Sequence, residues 1–314
     1  MSIEKFELFS GKFNHGKFHG LYGQGTSERK EDGCITEENI AGVLDSYSEP
    51  NSPKQPQLIK GGKSLGEINV RIIEKSLRGC NPLTEPLPCI LADANRNVWL
   101  EKKIAYSIPW KMGRLAGASA AVVKPSKKIT ATITAGDCFL LVSFKNGRFC
   151  LSKNQVKKHD EIMHAQIAKI KYRIAREWKI NSKKATQSQK KEINDEMWNR
   201  FQPFLERARI EAMNNPKSSS GYASLNGDPN SVKMWKVNNF NTEDIHKIII
   251  FSDGLLPWNL LKNMEIKDMG KYILEMEARL GLIGIAQSTR SYEATNDFEN
   301  YISQHEITAI VMEF

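Results

Sequence analysis

Three apolar runs, far apart in the chain, each lead into an aspartate. They are Ile40-Ala41-Gly42-Val43-Leu44-Asp45, Ile133-Thr134-Ala135-Gly136-Asp137 and Ile248-Ile249-Ile250-Phe251-Ser252-Asp253. A fourth aspartate, Asp32, sits in Lys30-Glu31-Asp32, shortly before the first run. Runs of this length and β-branched content read as buried strands, so each aspartate falls where a core strand leaves its sheet. Carboxylates that converge there repel one another and call for a cation. All-oxygen ligation suits a hard divalent ion, Mg²⁺ or Mn²⁺, better than zinc or copper.

Length and charge set the remaining bounds. The 314 residues suffice for one large core or two modest ones. With 40% hydrophobic and 26% charged residues, the composition is that of an ordinary soluble globule. No apolar run approaches bilayer length, and the first residues carry Glu4 and Glu7 without a signal-like core, so a cytoplasmic protein is expected. Five cysteines at irregular spacing, with no Cys-x-x-Cys pair, read as reduced thiols; Cys138, beside Asp137, reads as a small buried filler. The net charge of +9 is concentrated between Lys153 and Lys191, where twelve Lys or Arg face three acidic residues. This basic stretch reads first as a solvated helix face, then as a dock for an acidic or phosphorylated partner, and last as a nucleic-acid surface. Nucleic acid is disfavoured, because no aromatic residues interleave with the lysines as a stacking platform.

Residues 6–45 read as strands with Gly-rich turns, followed by a polar loop. Leu65, Ile68, Ile72, Ile73 and Leu77 give a first amphipathic helix. Gly62-Lys63-Ser64 lacks the earlier glycine of a phosphate-binding loop, since Gln57 stands there. Residues 118–123, 129–134 and 139–144 read as a meander of strands ending at Lys145-Asn146-Gly147. A long helix is expected over 156–178, and a second over 188–212 that Pro203 should kink or split. After a connector at 214–230 come the strand into Asp253, a helix with Met269, Tyr272, Ile273, Met276 and Leu280 on one face, and a last strand from Ile307.

In order and spacing, Glu31-Asp32, Val43-Leu44-Asp45, Ala135-Gly136-Asp137, Ile250-Phe251-Ser252-Asp253-Gly254 and Ile307-Thr308-Ala309-Ile310-Val311 resemble the metal-dependent protein phosphatases of the 2C type. Gly117-Ala118-Ser119-Ala120 and the segment from Gly221 to Pro229 are similar to further pieces of bacterial members. The resemblance implies an α+β fold, a four-layer α-β-β-α sandwich of two antiparallel sheets flanked by helices. It implies one domain over 1–314 with a helical, basic insertion at about 156–230. The activity implied is hydrolysis of phosphoserine and phosphothreonine in proteins, with two Mn²⁺ or Mg²⁺ ions and a third, weaker one, activating water and polarising the phosphoryl oxygens. The partner implied is a phosphorylated protein; the oligomeric state stays open.

By the same resemblance Asp45 would bridge the metals, Asp253 would hold one, Asp32 would act on the other through water, and Asp137 would serve the third. Ser46 would lend its backbone carbonyl where the family has glycine. Two departures stand out. The family's last ligand is the aspartate of Asp-Asn-x-Thr, whereas this chain reads His305-Glu306-Ile307-Thr308. His305 on that position would favour Mn²⁺, Glu306 could swing in instead, or the ligand could be lost. The family's phosphate-binding arginine would fall on Ser27, with Arg29 and Lys30 nearby as substitutes; Arg29 is the better bidentate donor. A pseudophosphatase that binds phosphoproteins without turnover is the competing expectation.

Overall fold

The computed structural model describes residues 6–25, 30–47, 62–108, 115–180, 185–300 and 306–314. The strands are β1 (Phe6–Phe13), β2 (Gly16–Gly23), β3 (Gly33–Glu37), β4 (Ile40–Tyr47), β5 (Gly117–Lys124), β6 (Ile129–Ala135), β7 (Phe139–Phe144), β8 (Phe149–Leu151), β9 (Lys236–Asn241), β10 (Ile245–Phe251) and β11 (Ile307–Glu313). They form a six-stranded sheet in the order β1-β2-β11-β10-β7-β8 and a five-stranded sheet in the order β3-β4-β5-β6-β9. All pairings between these strands are antiparallel.

Alternation along the strands builds the layers. Ala41, Val43, Ala121, Val123, Val142, Ile248, Ile250 and Ile310 point into a core between the sheets. Their neighbours Leu44, Ala120, Val122 and Ile133 point the other way, under helices α1 (Leu65–Arg78) and α2 (Leu87–Ala105). On the six-stranded sheet, Leu21, Ile249, Phe251, Ala309 and Val311 pack under helix α6 (Ile266–Asn300) through Met269, Ile273 and Ile285. The molecule is therefore an α+β sandwich of two antiparallel sheets flanked by helices, as anticipated. A central strand buried on both faces is apolar throughout, which made β4, β5 and β10 legible.

Helix α1 begins with a capping box between Ser64 and Glu67 and ends at Gly79, with Lys75 and Arg78 in its last turn. Between the second and third runs stand α3 (Lys157–Glu177) and α4 (Gln187–Ala212), which pack on each other through Ile170, Ile174, Met197 and Phe201. Helix α4 continues through Pro203 rather than splitting. Pro203 and Asn199, whose carbonyl loses its partner, both lie exposed, so water can take the missing hydrogen bond. A short helix α5 (Trp258–Asn263) follows Asp253. Helix α6 is interrupted at Gly281, whose φ of 66° and ψ of 179° are non-helical. Among the described residues, no helix is long and apolar enough to cross a membrane.

Candidate metal centre

The register brings the aspartates to one end of the sandwich. Asp45 lies near the end of β4, opposite Ser119 on β5. Asp32 immediately precedes β3, whose first residue Gly33 pairs with Leu44. Asp137 sits in the turn between β6 and β7, and Asp253 follows the end of β10, whose Phe251 pairs with Ala309 and Phe139.

Asp32 and the segments that carry Asp253 and Asp137 are fixed by their neighbours. Thr308 Oγ1 donates to Asp32 Oδ2 at 3.0 Å, and the Asp32 backbone N–H donates to Glu306 Oε2 at 2.5 Å. The loop before Asp253 is clamped to β11, because Thr308 N–H donates to Ser252 Oγ at 3.0 Å and Ser252 N–H donates to Thr308 O at 2.9 Å. Asp137 is set by a turn that needs glycine. Gly136 has φ +75°, and a Cβ there would lie 2.0 Å from Ser119 Oγ, the atom that accepts the Asp137 N–H at 3.2 Å.

The electrostatics show how closely the groups gather. Burial holds the Asp45 carboxyl well above its ordinary range, and the charges of Asp32, Asp253 and Asp137 push it further. Asp32 is raised by burial and then by Glu306, with the Thr308 and Ser252 hydroxyls working the other way. A carboxylate not anticipated from the sequence joins them. Asp160, in the first turn of α3, is pushed up to about 8 by burial, then by Asp137 and Asp253, with Arg209 opposing. In the sequence it was one acidic residue among many lysines. Only the docking of α3 beside the β6–β7 turn reveals where it points.

The other expected residues divide. Arg29 and His305 lie outside the described residues. Lys30 places its ammonium 4.0 Å over the Tyr22 ring and 3.9 Å from Glu7, rather than among the aspartates. Glu306 accepts from Gln24 Nε2 through Oε1 at 2.9 Å and from the Asp32 N–H through Oε2, so both of its oxygens are engaged. Ser46 is buried, and its Oγ donates to Glu31 O at 2.7 Å. The Glu31 carboxylate in turn accepts from Ser64 Oγ at 2.5 Å at the start of α1. Cys138 packs in the core between the sheets.

As the side chains lie, no three His, Cys, Asp or Glu groups among the described residues encircle one ion. The donor set nevertheless fits a hard cation. Burial and the nearby charges of Asp32, Asp253 and Asp137 raise the Asp45 carboxyl, and a hard cation would supply the positive charge these oxygens lack. Asp45 and Asp253 would hold such an ion, with the charges of Asp32 and Asp137 nearby.

No protein-family model matches the chain, and no curated protein matches its sequence. Solved structures of similar course include the catalytic domain of the serine/threonine protein phosphatase PstP in complex with 2 manganese ions, at 10% identity, 98% of this chain, 97% of that one and a TM-score of 0.49. RsbX in complex with magnesium is 12% identical over 98% and 99% of the two chains, with a TM-score of 0.47. The serine/threonine phosphatase Stp1 from Staphylococcus aureus is 12% identical over 100% and 96%, with a TM-score of 0.46.

Proposed function

We propose that this chain is a Mn²⁺- or Mg²⁺-dependent phosphoprotein phosphatase of the 2C type, acting on phosphoserine and phosphothreonine. The observation that carries the reading is the crowding of Asp45, on one sheet, by the charges of Asp32, of Asp253 from the other sheet, and of Asp137. Bound divalent ions would supply a lowered pKa for water and a charge to polarise the phosphoryl oxygens. The chain's own part is positional. Asp45 and Asp253 would hold the ions, and the backbone of Ser46 would complete the set. Asp32, held by Thr308, would orient water, and Asp137 and Asp160 would face a further ion or the water around it. Arg29 remains our candidate for phosphate capture, and His305 for the last ligand. Residues 1–314 are taken as one domain with the α3–α4 hairpin as its insertion. Five free cysteines fit a cytoplasmic location.

A second reading, a phosphoprotein-binding pseudophosphatase, is favoured by the hydrogen bonds that occupy both Glu306 oxygens, from the Asp32 N–H and from Gln24 Nε2. Hydrolysis of para-nitrophenyl phosphate with Mn²⁺ or Mg²⁺ separates the two. Sustained turnover that falls at least about a hundredfold in Asp45→Ala and Asp253→Ala is expected of the enzyme. Metal binding without turnover would select the pseudophosphatase.

A further inference from the structure

Two residues beyond Asp45, Tyr47 leaves β4 with its hydroxyl 2.5 Å from Ser224 Oγ. The Arg209 guanidinium lies 4.7 Å over its ring. From there Arg209 reaches into a pocket of about 370 Å³ that none of Asp32, Asp45, Asp137 or Asp253 lines. The walls carry three cations, Arg209, Lys217 and Lys233, against one carboxylate, Asp228, and the rest of the polar lining is largely asparagine amide.

The floor of this pocket is built with more hydrogen bonds than a surface connector needs. Asn214 and Asn226 are 4% and 2% exposed. Asn214 Nδ2 donates to both Asn226 Oδ1 and Ser224 O at 2.9 Å, and its Oδ1 accepts the Ser224 N–H at 2.7 Å. Asn226 Oδ1 also accepts the Asp228 N–H at 2.9 Å. The rim is bolted to α2 by Asn95, which accepts the Gly227 N–H at 2.9 Å and donates to Asp228 O at 3.0 Å. Gly227, at φ +98°, lets the loop lie against Trp99, where a Cβ would approach to 2.5 Å. A rigid concave site of this size with a net positive lining is pre-organised for a small anion. Arg209 already gives one N–H to Leu115 O at 3.3 Å, and Lys233 one to Asn230 Oδ1 at 2.8 Å. An ammonium has three such donors, so that bond does not use up Lys233.

We propose that this pocket binds a phosphate group, either free phosphate or a phosphorylated side chain, at a place separate from the aspartate cluster. Arg209 supplies the fixed fork, and Lys217 and Lys233 close over the anion from the rim. The pocket would bind phosphate whether or not the aspartates turn over a substrate.

The test is calorimetric titration of the full chain in EDTA, with inorganic phosphate and separately with a phosphoserine peptide. Without divalent ions the acidic cluster repels both. Saturable binding of either ligand is expected, weakening at least about tenfold in a Lys217→Gln/Lys233→Gln double variant and in Arg209→Gln, and unchanged in Asp45→Asn. Tighter binding of the peptide would identify a phosphorylated chain as the source, and equal or weaker binding free phosphate. Both lysines are exposed, so the double variant keeps the fold even if Arg209→Gln disturbs it. Absence of saturable binding at millimolar ligand, or binding indifferent to the lysine pair, would overturn the assignment.

Discussion

Asp32 receives its hydroxyl hydrogen bond from a residue 276 positions away, and that bond defines what a single side chain does here. Removing the donor in Thr308→Val leaves a buried carboxylate short of one partner and should cost about 1–2 kcal/mol in denaturant unfolding. An unchanged midpoint would mean that Thr308 is not holding Asp32. Asp160 makes a pH-dependent prediction. Its carboxyl is raised to about 8 in the folded chain against an ordinary 3.8, so between those values the folded state holds a proton that the unfolded state has lost. In metal-free buffer its contribution to stability is neutral below about pH 4 and falls as pH rises towards 8. Asp160→Asn should therefore raise stability at pH 7.5 by on the order of 2 kcal/mol and do nothing at pH 3.5, read from melting at both pH values. Equal effects at the two would contradict it. The aspartates at strand ends were legible because each closed an apolar run. Thr308 and Asp160 were not, because their roles exist only once β11 meets the segment before β3 and α3 meets the β6–β7 turn.

Among the elements, the β6–β7 turn is the most exacting. Gly136→Ala would combine a positive φ with a clash against Ser119, the residue that faces Asp45 across the sheet. A loss on the order of 2–3 kcal/mol is expected, with Mn²⁺ affinity falling more than it does in Gly147→Ala. Gly147 also has positive φ, but nothing stands within 4 Å of its added Cβ. Equal losses in affinity would show that the turn does not position Asp137. Strands β4, β5, β7 and β10 could be read directly, since buried strands repeat apolar, β-branched residues. Strand β9 could not, because Lys236–Asn241 is an exposed, polar edge with almost no pattern. Helix α2 went unread for a different reason. Its stripe Leu87, Ile90, Leu91, Ala94 and Val98 is regular, but Asp93, Asn95 and Asn97 interrupt it with poor helix formers. Buried Asn95 is there to hold the 226–228 loop.

At the scale of the molecule, the sandwich explains why four acidic segments spread from residue 32 to residue 253 meet at all. Both sheets are antiparallel, so alternate strands end on the same side, and the two sheets bring those ends face to face. The layer arrangement was legible from the resemblance and from strand content. The engagement of Glu306 with Asp32 and Gln24 was not, since these partners lie hundreds of positions away and meet it only in the folded chain. The most direct measurement is anomalous diffraction from a crystal grown with MnCl₂. Manganese peaks within ligand distance of Asp45 and Asp253 are predicted. Saturating MnCl₂ that gives no anomalous peak beside these two carboxylates would contradict the account.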